Sequence, residues 1–246
     1  MHKTIAFIPA RGGSERVPYK NVNRMFRGHP LQAYCIATAR QSGAFSKVVV
    51  SSQDVTALEV AHHYGADTLR RPDEYGSSTS PDIEWIKHAL AALMRQDEEF
   101  DSFAILRVVN PFRTADTIRR AMAQWQMYGE GYDSLRAVEL CGQHPGKMWR
   151  IINNTLTPLL LQPPHPWHSS QYKTLPKVYV QNASLEIAWT KTVAQFGHQA
   201  GETILPFLTT GNEGFDINTM YDWQIAEGMV ASGEASLPEI KVPAFT

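Results

Sequence analysis

Short apolar runs alternate with amphipathic stretches through the first half of the chain, and that alternation constrains the fold more than any other feature. Thr4 to Ala10 is apolar and enters a glycine turn. Leu31, Tyr34, Cys35 and Ala39 recur at helical spacing, and Gly43 follows as a stop. Lys47 to Ser51 (KVVVS) has the length and β-branched content of a buried strand. Asp54 is placed to cap a helix carrying Ala57, Val60, Ala61 and Tyr64, closed by Gly65. Ser80-Pro81 opens another, with Pro81 at the first helical position and Asp82 and Glu84 in the first turn. Its inward face is expected to hold Ile83, Ile86, Leu90, Leu93 and Met94. Phe103 to Val109 is the next strand, and Thr114 caps a helix with Ile118, Met122 and Trp125 inward. Strand-helix alternation of this kind predicts an α/β fold, its mixed sheet mostly parallel and covered by helices on both faces.

The pattern breaks after about Val138. Residues 141–176 hold six of the fifteen prolines, and no period lasts long there. This segment reads as an inserted arm, with short strands at Trp149 to Ile152 and Leu156 to Leu161. Residues 178–189 return to the main sheet. The last helix starts at Thr219, with Asp222 completing a capping-box-like pair, and buries Trp223, Ala226, Met229 and Val230. Residues 1–246 therefore read as a single domain carrying the insertion.

Composition removes several function classes. A net charge of −1 without a basic stripe argues against nucleic acid as a partner. No run of 18 apolar residues is present, so no membrane-spanning helix is expected. The start, MHKTIAFIPA, reads as a first strand and not as a signal peptide. Cys35 and Cys141 have no metal-ligand spacing and read as buried thiols in a reduced, cytoplasmic setting. His62-His63 and the pair His165 and His168 lack the further ligands a zinc site needs. The absence of GxGxxG speaks against a dinucleotide oxidoreductase.

The loop from Ile8 to Asn21, IPARGGSERVPYKN, carries the most chemistry. Gly12-Gly13 lets the backbone bend close to a ligand, and free N–H groups there can form an anion-binding nest. Arg11 and Lys20 add positive charge on either side. The combination suits a triphosphate, although the P-loop pattern is absent.

PARGGSxRxPxKN resembles the signature of the acylneuraminate cytidylyltransferase family, and further segments resemble it in the same order. These are GHPLQAYCIATARQSGAFSKVVVSS, HHYGADTLRRPDEYGSSTS, NPFRTADTI and GFDINTMYDW, so the resemblance covers nearly the whole chain. It implies a Rossmann-like fold and transfer of CMP from CTP to an acidic 2-keto-3-deoxy sugar, with Mg²⁺ or Mn²⁺ as the cofactor. It further implies nucleotide contacts from Ala10, Arg11, Gly12, Gly13, Ser14, Lys20, Asn21, Arg71 and Ser80. Arg11, Lys20 and Asp216 take the catalytic roles, and Asp216 with Asn218 the metal. The sugar side falls to Arg107, Asn182 and Glu186, with Arg113 and Lys177 as further candidates. The family dimerises through an arm in the inserted region, which implies a homodimer here.

Five positions depart from the family pattern. Asn218 stands where a second aspartate is usual, Glu15 where a lysine is, Arg107 where a glutamine is, and Glu186 where a tyrosine is. Asp82 replaces a small hydroxyl residue, and helix capping accounts for it without any function. The nucleotide side is kept and the acceptor side altered, so the acceptor is expected to be either a sialic acid or another acid, such as a diamino nonulosonate or a phosphonate. Loss of the second aspartate also leaves open a nucleotide-binding protein without catalysis.

Overall fold

The computed structural model describes residues 2–12, 16–22, 24–160 and 166–245. In chain order the strands are β1 (Thr4–Pro9), β2 (Met25–Phe26), β3 (His29–Pro30), β4 (Lys47–Ser52), β5 (Asp67–Arg70), β6 (Ser102–Ile105), β7 (Ser134–Leu140), β8 (Trp149–Ile152), β9 (Thr155–Pro158), β10 (Tyr179–Trp189) and β11 (Ile204–Leu208). The helices are α1 (Leu31–Ser42), α2 (Val55–His63), α3 (Asp82–Met94), α4 (Ala115–Tyr128), α5 (Thr190–Phe196) and α6 (Met220–Ser232). Seven strands form one sheet in the order β11-β7-β10-β6-β1-β4-β5. β6, β1, β4 and β5 run parallel, and β10 lies antiparallel against β6 with Glu186 opposite Ile105.

Both faces of the sheet are covered. Along β1, Ala6 and Ile8 enter the core beneath α1, α2, α4 and α6, while Ile5 and Phe7 enter the core beneath α3 and α5. The pleat sends alternate side chains to opposite faces, so a strand buried on both must be apolar throughout, as TIAFIP is. The fold is the expected mixed α/β sheet with helices on both faces.

Local capping chemistry sets the helix ends. Asp54 accepts from the Ala57 backbone N–H at 3.1 Å. Thr114 with Thr117, and Thr219 with Asp222, form reciprocal capping boxes. Gly43 ends α1 in the left-handed region at φ 63°.

Several expectations need correction. Helix α3 begins at Asp82 after Pro81, so the proline is the cap residue. Its buried face is Trp85, Ile86, Ala89, Ala92 and Leu93, and Met94 is 64% exposed. Small alanines let α3 sit close on the sheet, and the resulting rotation turns Met94 out. The strand expected over Phe103 to Val109 stops at Ile105, because Val108 and Val109 form a turn. Cys35 is buried, but Cys141 is only partly so.

The chain divides into two compact units: residues 1–137 with 182–246, and residues 138–181. The second unit contains the β8–β9 hairpin, whose Asn153-Asn154 turn has both residues at positive φ, 49° and 61°. That is the geometry a two-residue turn of the I′ type needs, and asparagine tolerates it. The second hairpin strand, expected over Leu156 to Leu161, is Thr155–Pro158, and Leu161 and His165 lie outside the described residues. His144 is buried within this unit, where its Nδ1 accepts from the Gly146 N–H at 2.9 Å. Lys147 donates to the Ser170 carbonyl at 2.7 Å.

Candidate active site

A cavity of about 390 Å³ opens where β1 and β6 end, lined by Pro9 at the end of β1 and by Val108 and Val109 beyond β6. Parallel strands bring their C-terminal ends to one edge, which is where ligands bind in open α/β sheets. The loop after β1 forms one wall. Ala10 anchors it through its N–H to the Ser51 carbonyl at 3.1 Å. Gly12 then passes so near the cap of α2 that a Cβ would lie 1.9 Å from the Asp54 Oδ2. Glycine is required there for close approach and not for its φ. Asn21 donates to the Arg11 carbonyl at 3.0 Å, closing the loop on itself.

Positive charge gathers here, three cations from this loop and one, Arg71, from just after the end of β5. Arg11, Arg16, Lys20 and Arg71 all line the cavity. Lys20 is buried and donates from Nζ to the Ile217 carbonyl at 2.7 Å. Burial lowers its pKa to about 8, helped by the Arg16 and Arg11 cations and opposed by the Asp216 and Asp222 carboxylates. Arg71, also buried, donates to the Gln53 amide oxygen at 3.3 Å, and burial pulls its pKa down to about 10. A protein holds cations close together inside a cavity at a cost, and an anion entering that cavity relieves it.

The opposite wall is different. Arg107 follows β6 and pairs with Asp82 at the start of α3 and with Glu186 on β10, the latter at 3.0 Å. Glu186 accepts on its other oxygen from Arg136 of β7 at 2.7 Å. The second Asp82 oxygen accepts from the Trp85 indole N–H at 2.9 Å. Burial opposes the charge on Arg107, but the Glu186 and Asp82 carboxylates more than offset it and hold the guanidinium above its ordinary pKa.

The structure thus brings Arg11, Lys20, Asn21, Arg71, Ser80, Arg107 and Asn218 to one cavity. Ser80 donates its hydroxyl to Glu84 at 2.5 Å. Gly13 and Ser14, with Glu15, lie outside the described residues. Other expectations change. Asp82 caps nothing, because its carboxylate is taken by Arg107 and Trp85. Glu186 does not line the cavity, since arginines hold both its oxygens. Asn182 is turned to Thr209, 2.9 Å away, and also stays outside the lining. Arg113 is buried on the Ser184 carbonyl and the Cys35 sulfur and serves the core. Lys177 is exposed in the inserted unit. Asp216, like Ala10 and Gly12, stays outside the lining: residues 215–218 run between a turn and the Thr219 cap, held by the Ile217 N–H on the Val109 carbonyl at 2.9 Å. Ile217 is buried, with half-buried Asp216 and Asn218 on either side. Asp216 accepts from the Ala183 N–H at 3.2 Å, and Asn218 from Arg16 at 3.4 Å. Arg16, which stands in the signature loop, joins the lining beyond the residues expected there. Tyr75 and Ser77 stand in the segment RRPDEYGSSTS without being singled out, and Trp85 carries no motif and becomes visible only through the fold.

Residues 5–138 match the family model described as cytidylyltransferase. A CMP-N,N'-diacetyllegionaminic acid synthase from Legionella pneumophila is 30% identical over 239 residues, spanning 96% of this chain and 99% of that protein. The chain belongs to the acylneuraminate cytidylyltransferase family. It is accordingly an enzyme of nucleotidyl transfer. An N-acylneuraminate cytidylyltransferase from Escherichia coli is 31% identical over 225 residues, 91% of this chain and 51% of that longer protein. Among solved structures, a CMP:2-keto-3-deoxy-manno-octonic acid synthetase complexed with CTP superposes with a TM-score of 0.65 at 13% identity, covering 94% of this chain and 99% of that one. That likeness concerns the fold. No helix among the described residues is long and apolar enough to cross a membrane.

Proposed function

We propose that this cytidylyltransferase transfers CMP from CTP to the anomeric hydroxyl of a nonulosonic acid. The observation that carries the reading is the set of inward-facing cations, Arg11, Arg16, Lys20 and Arg71, around one cavity at the strand ends. The acceptor oxygen forms a bond to the α-phosphorus, the bond to the β-phosphate oxygen breaks, pyrophosphate leaves, and the hydroxyl proton passes to solvent. Negative charge rises on the five-coordinate phosphorus and on the leaving group, and prearranged cations stabilise it. Lys20 has three N–H donors and spends one on Ile217, which leaves two for phosphate oxygens.

The residues present fit a magnesium ion that keeps most of its ligands as water and phosphate. Among the described residues no cluster of three or more His, Cys, Asp or Glu could hold a metal. Asp216 and Asn218 offer one carboxylate and one amide oxygen, a set that suits Mg²⁺ bound largely through its substrate. When bound, the ion would supply neutralisation of the triphosphate.

The acceptor class is supported by the relatives, whose names specify acylated nonulosonic acids, one of them diacetylated. Calorimetry with CTP, UTP, ATP and GTP, followed by pyrophosphate release with a panel of nonulosonic acids, tests the proposal. CTP is expected to bind best and at least one acid to release pyrophosphate. Equal binding of all four nucleotides, or no release with any acid, would defeat it.

We also propose a homodimer. Ile151 is 76% exposed and Leu156 60% exposed on the β8–β9 hairpin, and apolar surface of that kind marks interfaces. Light scattering should give twice the 27.6 kDa chain mass. A fully active monomer at micromolar concentration would overturn this.

A further inference from the structure

Four charged side chains alternate in sign from the cavity wall into the sheet: Asp82, Arg107, Glu186 and Arg136. The strand pleat explains why they meet. Arg136 stands on the face opposite Leu135 and Ala137, and Glu186 on the face opposite Leu185 and Ile187, both of them on the side of α3. Only Asp82 and Arg107 reach the cavity. Glu186 and Arg136 are further in, with side chains 12% and 19% exposed.

We propose that Arg107 donates to an uncharged oxygen of the acceptor, the carbonyl of an acylamino group, and that Glu186 and Arg136 are positioning residues that fix its orientation. This rests on the acceptor being a nonulosonic acid. The geometry supports it in two steps. Arg107 uses Nη2 for both carboxylates, so the rest of its fork of donors remains on a side chain that is 32% exposed and lines the cavity. The four charges sum to zero, so this wall offers hydrogen-bond donors with little net attraction for an anion. An acceptor carboxylate set here would lie against Asp82 and be repelled, whereas the Lys20 and Arg71 wall would attract it. A carbonyl oxygen needs a donor and no net charge.

The expected discrimination belongs to the acyl group. N-acetylneuraminic acid and N,N'-diacetyllegionaminic acid are each compared with the analogue in which a hydroxyl replaces an acetamido group. The readout is the ratio of kcat/KM between partners of a pair, measured for the wild-type enzyme, Arg107→Met and Glu186→Gln, with CTP binding by calorimetry as the control for folding. In the wild type the better acceptor's acetamido form should be favoured roughly ten- to hundredfold, the scale of one hydrogen bond to a charged group. Arg107→Met should bring that ratio to near one with CTP affinity kept. Glu186→Gln leaves Arg107 in place with a looser hold, and the ratio should fall about two- to fivefold, less than one full hydrogen bond. A merely structural role would lower turnover of both partners alike. Turnover with an unmoved ratio in both variants overturns this proposal and spares the functional reading. No turnover of any acid by the wild type overturns both. Should Arg107→Met fail to bind CTP, the Glu186→Gln ratio decides alone, and an unchanged value overturns the proposal.

Discussion

The two walls of the cavity use the same residue type in opposite ways. On the cationic wall, built by the segments after β1 and β5, Lys20 and Arg71 are buried and donate to uncharged oxygens, the Ile217 carbonyl and the Gln53 amide. Their charge is left to act on whatever enters. Across the cavity, Arg107 is clasped between two carboxylates, and its charge is spent inside the protein. One wall is poised for an anion that must be stabilised while it changes, and the other for shape and hydrogen bonding to a group that does not react. Under the proposed function catalysis profits from the first, because only interactions that strengthen in the transition state raise the rate. Under the proposed acyl contact, specificity is served by the second.

The largest effect is expected at the edge of the cationic wall. Asp216→Ala should lower kcat by roughly 10³-fold, as expected for loss of one preorganised electrostatic element. Asn218→Asp should keep turnover and reach half-saturation at lower Mg²⁺, since a carboxylate binds a hard cation better than an amide. Rate against Mg²⁺ concentration measures both. A higher Mg²⁺ requirement in Asn218→Asp would show that this side chain lies away from the ion.

Lys20→Ala comes next, with kcat/KM for CTP expected to fall roughly 10²-fold. Its preference between acetamido and hydroxy acceptors should stay as in the wild type. If that preference moves as much as the rate, the division of labour between the walls is wrong.

The smallest effect is one of stability. Gly12→Ala would press a methyl group onto the Asp54 carboxylate that caps α2, at a cost of about 1 kcal/mol for the disturbed cap. Thermal unfolding should show it, and Asp54→Ser in the same chain should recover most of it, because serine caps well and is shorter. An unchanged melting temperature in Gly12→Ala would mean that the loop yields freely.

What the amino-acid sequence discloses here is mostly local. The caps at Asp54, Thr114 and Thr219 and the stop at Gly43 are each decided within a few residues. So is the signature loop, whose cations indeed face a cavity. The inward face of α3 was misjudged because helical spacing alone admits both the Met94 side and the Ala89 side, and packing on the sheet chooses. The Asp82–Arg107–Glu186 clasp was illegible for a related reason. Its members stand 25 and 79 residues apart, and only the antiparallel placement of β10 beside β6 brings them together. Read singly, each charge looked like a ligand for substrate or a helix cap.

The bond from Lys20 to Ile217 spans 197 residues, and that from Arg16 to Asn218 spans 202. At a synthesis rate of about 5–20 residues per second, the signature loop leaves the ribosome roughly 10–40 s before its partner exists. By the end of that interval all seven strands of the main sheet have been made, but not the segment that seats the lysine. Under the proposed function, the cavity is complete only once the segment around Ile217 is in place, and affinity for nucleotide would report that this segment has docked. A chain cut before Ile217 is therefore expected to lose affinity for nucleotide before it loses its sheet.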